Sequence, residues 1–357
     1  MDGDAAMPAP ARVAFPGISS RAYEHPADRS ALTALRAVPG FDALLRTMAG
    51  VFSERRLRLL YLATAVRVGE RQFRALHAIK QDAVRVLDLP DEPDLYVAQS
   101  PHATAATLGL DRPFVVVSSG LVELLDEEEL RVVVGHELGH ALSGHALYSS
   151  VLFTLLRMSG LGGWLPLGSI GLRAVVQGLK EWSRKAELSC DRAGLLVAQD
   201  PAAAMRVHLK LAGGGRVGDM DLDAFLEQAQ EYQSAGDARD GVIRMLNLLD
   251  STHPFSAVRA LELRRWVDSG EYQRILAGAY PRRADDPSAS LVEELKAAAR
   301  SYRESFAAAN DPLARLVRDL ADGAGSAGSW LADKLRGLGG PRDGNGGNGG
   351  DGGGQPL

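Results

Sequence analysis

The run HELGH at positions 136–140 places a glutamate between two histidines. Residues four apart on a helix lie one turn apart on the same face, so the imidazoles of His136 and His140 can reach one zinc ion. Glu137 lies where its carboxylate can hold a water beside the metal and take its proton. The pattern therefore predicts a hydrolytic zinc site, and the alternative is a pair of surface histidines on an amphipathic helix.

A catalytic zinc site uses three protein ligands, so a third ligand must come from elsewhere in the chain. Glu187 and Asp191 are four residues apart and share a face of a predicted helix. We expect Glu187 to bind the metal and Asp191 to accept the free ring N–H of a ligating histidine. An exposed acidic helix edge would show the same spacing. His145 is a weaker alternative ligand, because on a continuing helix it would point about 140° away from His140.

Several segments together resemble the HtpX and CAAX prenyl protease type of zinc metalloendopeptidase. They are GHELGH at 135–140, AELSCDRA at 186–193, THP at 252–254 and the later Arg259. The similarity extends over about residues 57–266. The combination of these motifs is specific to the family, whereas each motif alone is not.

The resemblance implies a role for each matched residue. In that family the two histidines of HExxH and the glutamate of ExxxD bind zinc, which here means His136, His140 and Glu187 and one Zn²⁺ per chain. The glutamate of HExxH, here Glu137, is the general base.

The resemblance also implies roles for residues around the metal. Asp191 is a supporting residue, and Arg259 is expected to support the site in the same way. His253 lies near the metal in that family, where it would contact substrate, stabilise an oxyanion or act as a lid. Without the resemblance, a structural histidine beside Pro254 would be the preferred interpretation of His253.

The elements that must position these residues can be read from local signals. Three short strands are predicted at 95–100, 104–108 and 113–118, which we interpret as one small antiparallel sheet packed on the HExxH helix. Asp126 and Glu129 form a capping box that starts this helix, expected over about 126–147. The ExxxD helix is expected over about 181–199. The fold class is thus α+β and mainly helical, and the resemblance implies a zincin-like metalloprotease core.

Composition, helical patterning and the resemblance together suggest four segments. Residues 1–30 are predicted to be an irregular lead-in, 31–270 the zinc metallopeptidase domain and 271–336 a helical C-terminal extension. The segment 337–357 is rich in glycine, which predicts a disordered tail.

Charge and hydropathy limit the classes of binding partner and the location that we expect. A net charge of −5 argues against nucleic acid, which needs a concentrated excess of basic residues. The first residues do not resemble an export signal, and Cys190 is the single cysteine, so we expect a cytoplasmic protein. The apolar stretch 146–179 is interrupted by charges, glycine and proline, which favours a packed helical hairpin over a spanning segment. Peripheral membrane contact through this hairpin is the alternative.

The expected function is hydrolysis of peptide bonds in protein or peptide substrates, including unfolded or membrane-associated ones. The alternative is a zinc-binding module, latent or chaperone-like, that binds other proteins without cleaving them.

Overall fold

The computed structural model describes residues 12–36, 41, 45, 53–160, 170–234 and 255–288. The helices are α1 (Pro26–Arg36), α2 (Glu54–Thr64), α3 (Arg74–Leu87), α4 (Ser119–Leu124), α5 (Glu127–Leu142), α6 (His145–Gly160), α7 (Ile170–Ala198), α8 (Pro201–Gly213), α9 (Leu222–Ser234), α10 (Ser256–Asp268) and α11 (Glu271–Leu276). The strands are β1 (Ala65–Arg67), β2 (Leu95–Ala98), β3 (Ala105–Leu108) and β4 (Phe114–Ser118). The described residues are mainly helical with one small sheet, as predicted.

The sheet is mixed, so the prediction of a purely antiparallel sheet was wrong. Its strand order is β1-β2-β4-β3, in which β2 and β4 are parallel and the other two pairs antiparallel. The prediction assumed that strands consecutive in sequence are neighbours. Instead β3 lies outside β4, so the β3–β4 hairpin returns β4 in the direction of β2. As a result β3 is an edge strand of the described sheet, and it lies against α5.

The HExxH helix α5 begins as predicted but ends earlier. Asp126 accepts a hydrogen bond from the Glu129 backbone N–H, and the Glu129 side chain accepts one from the Asp126 N–H, which completes the capping box. The helix ends at Leu142 and not near 147, because Gly144 adopts a φ of +68° that redirects the chain. A separate helix, α6, then starts at His145.

The ExxxD helix α7 is longer than predicted and packs very closely on α5. It begins at Ile170 and not near 181, and it ends at Ala198, before the Asp200 cap of α8. A Cβ added at Gly139 of α5 would lie 2.7 Å from the Ala193 Cβ, and one added at Gly194 would lie 2.5 Å from a carbonyl oxygen of α5. The two helices therefore approach to a distance that only glycine permits.

Two apolar clusters hold α5 and α7, and a third joins α2 to the sheet. The larger joins the sheet to α3, α5, α8, α9 and α10 and to the carboxyl-terminal half of α7. The smaller joins α1, α6 and the middle of α7 around the fully buried Trp182. The described arms of the predicted hairpin 146–179 pack in this smaller cluster. No helix within the described ranges has the length and apolar character needed to cross a membrane.

The predicted segment boundaries at 30 and 270 stay predictions. Phe15, Ile18 and Tyr23 before the first boundary, and Tyr272 and Ile275 after the second, are buried in the larger cluster. Residues 289–336 of the predicted helical extension 271–336, and the predicted tail 337–357, lie outside the described residues.

Candidate metal centre

Three side chains from α5 and α7 converge at one buried point. The His136 Nε2 and His140 Nε2 atoms are 3.2 Å apart. The two carboxylate oxygens of Glu187 lie 3.3 Å from these nitrogens, Oε2 from His136 and Oε1 from His140. Bonds of 2.0–2.1 Å in a tetrahedral zinc site separate neighbouring ligand atoms by about 3.3 Å. The two imidazole nitrogens therefore lie at the spacing of zinc ligands from each other, and each lies at that spacing from one carboxylate oxygen of Glu187.

The second ring nitrogen of His136 contacts a carboxylate. His136 Nδ1 lies 3.0 Å from Asp191 Oδ1, so an N–H at Nδ1 donates to Asp191 and leaves Nε2 free for a metal. Arg259 on α10 donates to both oxygens of Asp191, at 2.8 and 2.5 Å, and its Nη1 lies 3.2 Å from Glu187 Oε2. Arg259 thus holds both carboxylates in place.

The electrostatics of the site favour a positive charge at His136. Burial alone would lower the pKa of His136, but hydrogen bonds and charge interactions with Asp191 and Glu187 raise it to about 10. Burial opposes ionisation of Asp191, yet the Arg259 charge holds the pKa of Asp191 well below its usual range. Burial lowers the pKa of His140. The neighbouring carboxylates therefore favour a positive charge at His136, which a proton or a metal ion can supply.

Glu137 is buried and contacts the edge strand. The Thr107 hydroxyl of β3 lies 2.6 Å from Glu137 Oε2 and 2.8 Å from the Glu137 carbonyl oxygen, and it can donate to either. We did not predict a role for Thr107. The available signal was one of two threonines in the predicted strand 104–108, which indicates nothing about the helix that the strand faces.

His145 lies against the site, so the prediction that its side chain points away was wrong. That prediction assumed a continuous helix, whereas the turn at Gly144 brings the ring back. His145 Nδ1 lies 3.2 Å from His140 Nδ1, and His145 Nε2 lies 3.3 Å from Asp28 Oδ2. The Cys190 thiol is 3.6 Å from His145 Nδ1. His140, His145 and Cys190 form a second group of donor atoms close enough to share a metal.

The two remaining histidines of interest are His208 and His253. His208 is buried on α8, and its Nε2 lies 3.7 Å from Asp191 Oδ1. Burial lowers the pKa of His208 to about 4. His253, which we predicted to be catalytic, lies outside the described residues.

A cavity lies on each side of the site. One, of about 290 Å³, borders His136 and Glu137 and is lined by the apolar side chains of Leu121, Val132, Val133, Val207 and Leu211. The other, of about 250 Å³, borders His140 and is lined by Leu108, Leu152, Phe153 and Leu156. Glu137, Glu187 and Ala105 of β3 border both cavities, so the edge strand runs past the candidate metal centre.

Comparison with known proteins agrees with the motif resemblance. Residues 70–267 match the model of Peptidase family M48. The chain is 36% identical over 272 residues to the plastoglobule-localized metallopeptidase 48 of Arabidopsis thaliana, covering 74% of this chain and 78% of that protein. It is 30% identical over 225 residues to a protease HtpX homologue of Kineococcus radiotolerans, covering 55% and 74%. A second HtpX homologue, from Sulfurihydrogenibium, is 32% identical over 106 residues, which is 29% of this chain and 35% of that protein.

No solved structure matches the chain significantly. The family model covers more than half of the chain, and the Arabidopsis relative aligns with about three quarters of it. The family implies a divalent metal, typically zinc, and the buried donor atoms of His136, His140 and Glu187 fit such an ion. The resemblance to HtpX-type proteases is thereby confirmed. The chain belongs to Peptidase family M48 and is a metalloprotease.

Proposed function

We propose that this metalloprotease is a zinc-dependent endopeptidase with one zinc ion held by His136, His140 and Glu187. The observation that carries the proposal is the buried group of donor atoms, in which the two Nε2 atoms are 3.2 Å apart and each lies 3.3 Å from a different carboxylate oxygen of Glu187. Zinc bound there would supply Lewis-acid polarisation of the scissile carbonyl and of the attacking water.

Glu137 is the proposed general base. Its Oε2 is engaged by the Thr107 hydroxyl, which leaves Oε1 to take the proton of the attacking water and pass it to the leaving amine. Thr107 restricts the rotation of this carboxylate, and Asp191 with Arg259 restricts the His136 ring. These contacts hold the reacting groups in one geometry. A site arranged in this way lowers the activation barrier, because its groups do not have to reorient during the reaction.

The substrate is proposed to bind as an extended strand along β3. This strand is at the sheet edge and passes between the two cavities, so an added peptide would present alternate side chains to them. Backbone pairing with β3 gives weak sequence preference, while the apolar walls favour apolar side chains on either side of the scissile bond. Unfolded protein segments meet both requirements.

A cytoplasmic location is also proposed, supported by the single buried free Cys190. Contact of 146–179 with lipid remains an alternative that a vesicle sedimentation assay would test. Binding to vesicles that is lost when the exposed Phe153 of α6 is replaced by Ser would support such contact.

The test of the proposed function compares zinc content and cleavage of unfolded casein in matched variants. Glu137→Gln should retain one zinc per chain and lose turnover, whereas Glu187→Ala should lose zinc. Glu123→Gln, on the exposed surface of α4, is the control and should behave as wild type. Normal cleavage by Glu137→Gln would refute the mechanism.

Zinc binding without cleavage in the wild type would favour the non-cleaving module. The variant His253→Ala then distinguishes a latent protease, since activity gained on its removal would identify His253 as a lid.

A further inference from the structure

A row of side chains leads from His140 to a buried carboxylate on the N-terminal helix α1. His140 Nδ1 lies 3.2 Å from His145 Nδ1, and His145 Nε2 lies 3.3 Å from Asp28 Oδ2. The exposed fractions of His140, His145 and Asp28 are 8%, 3% and 0%. Water therefore has little access to these contacts, and each polar atom must be satisfied by its neighbours.

A zinc ion bound to His140 would determine which ring nitrogens along this row carry a proton. If His140 binds zinc through Nε2, its Nδ1 carries the proton and must donate it. The atom within reach is His145 Nδ1, which accepts only in the tautomer that carries its own proton on Nε2. That Nε2–H then donates to Asp28. One set of tautomers thus satisfies every ring nitrogen in the row.

The Asp28 carboxylate is itself held by α7. Trp182 Nε1 donates to Oδ1 at 3.0 Å, and the Ser189 hydroxyl donates to Oδ2 at 2.6 Å. Burial raises the pKa of Asp28, but the neighbouring His145 and these hydrogen bonds outweigh that effect and lower it below its usual value. The carboxylate is therefore a fixed, ionised acceptor at the end of the row.

We propose that His145 and Asp28 are positioning residues that orient His140 for zinc, an inference that rests on the proposed zinc site. His136 meets its carboxylate, Asp191, directly, whereas His140 meets Asp28 through an interposed imidazole. Outer partners of this kind orient the ligating ring and raise its basicity. Helix α1 precedes the residues 70–267 that match the family model, so the proposal adds a segment outside that match to the metal centre.

A second metal ion bound by His140, His145 and Cys190 is the competing interpretation of the same atoms. It would require His140 to lose the Nδ1 proton and bridge two metals. A hydrogen-bonded row and a second metal cannot coexist, so the zinc stoichiometry separates them.

The experiment measures the zinc dissociation constant by competition with a chelator, and the rise in Tm that zinc produces in the metal-free protein. His145→Phe keeps the ring volume and removes the acceptor, so zinc affinity should fall 10- to 100-fold and the rise in Tm should shrink. His145→Gln can accept from His140 and donate to Asp28, so it should restore part of the affinity. Cobalt(II) in place of zinc should show an altered visible spectrum only in His145→Phe.

The control is His77→Phe on α3, a histidine outside the row, which should bind zinc as wild type does. A merely structural role of His145 would lower the Tm of the metal-free and zinc-loaded forms equally, and that result would overturn the proposal. So would an unchanged dissociation constant in His145→Phe, or two zinc ions per wild-type chain. If His145→Phe does not fold, Asp28→Asn takes its place, and wild-type zinc affinity in that variant overturns the proposal. A wild type that binds no zinc would instead refute the proposed function.

Discussion

Because α5 and α7 approach closely, we expect Gly139→Ala to destabilise the wild type but to stabilise the Ala193→Gly variant. In Gly139→Ala the new Cβ would lie 2.7 Å from the Ala193 Cβ, whereas carbon atoms in contact normally stay about 3.5–4.0 Å apart. Both carbons are attached directly to helix backbones, so no side-chain rotation relieves the overlap. The next neighbours of the added Cβ are the Cα and Sγ atoms of Cys190, at 3.5 and 3.6 Å, which are ordinary contacts.

The magnitude follows from two opposing terms. Replacing glycine by alanine inside a helix stabilises it by about 1 kcal/mol. Overpacking costs about 1–3 kcal/mol, and an overlap of about 1 Å between backbone-anchored carbons belongs near the upper end. Gly139→Ala should therefore destabilise the wild type by about 1–2 kcal/mol. In an Ala193→Gly background the overlap is gone, so the same substitution should stabilise by about 1 kcal/mol.

The assay is urea unfolding of the metal-free wild type, both single variants and the double variant. Gly218→Ala is the control, since nothing lies within 4 Å of its added Cβ. Zinc affinity should fall in Gly139→Ala, because separating the helices moves His140 away from Glu187, and it should return in the double variant. Equal stabilisation by Gly139→Ala in both backgrounds would refute the helix packing described above.

Three further predictions concern individual contacts. Thr107→Val should lower kcat about tenfold with zinc content unchanged, because Glu137 loses a hydrogen bond to a charged group; an unchanged kcat would contradict the positioning role. Arg259→Leu should cost about 3–5 kcal/mol in urea unfolding, since it leaves the buried Asp191 uncompensated; a loss below 1 kcal/mol would argue against that ion pair. Burial and a neighbouring arginine lower the pKa of His25 to about 3, so the unfolded chain takes up this proton below pH 6.5 while the folded chain resists until near pH 3. Stability should fall over that range, and His25→Asn should remove about 3 kcal/mol of the loss at pH 4, a difference that unfolding at pH 7 and pH 4 would detect.

Local signals predicted the parts of the fold that depend on neighbouring residues. The capping box at Asp126 and Glu129 sets the start of α5 as expected, because both partners lie within one helical turn. His136 and His140 also lie on the same face of α5 as expected, since this placement depends only on the helix period. Even the boundary before the Asp200 cap was readable, because Pro201 excludes the preceding residue from a helix.

Long-range packing accounts for the parts that could not be predicted. The direction of β4 depends on which side of the sheet β3 joins, and no local preference encodes that choice. The contact of Thr107 with Glu137 spans 30 residues, and nothing in the strand marks it. His145 was misplaced for a different reason: Gly144 was visible in the sequence, but the helical pattern around it favoured continuation, and only the backbone turn reveals the redirection.

Helix α7 explains why the separation between two helices controls the whole candidate site. It carries the proposed ligand Glu187, it carries Asp191, which contacts His136, and through Trp182 and Ser189 it holds the Asp28 carboxylate at the end of the His140 row. The two histidines, by contrast, both belong to α5. A change that separates α5 from α7 therefore weakens the third ligand and both outer supports together. A substitution in only one support, either Asp191 or the row of His145 and Asp28, should loosen only one imidazole. We therefore expect the larger loss of zinc affinity from the helix-packing variant, Gly139→Ala.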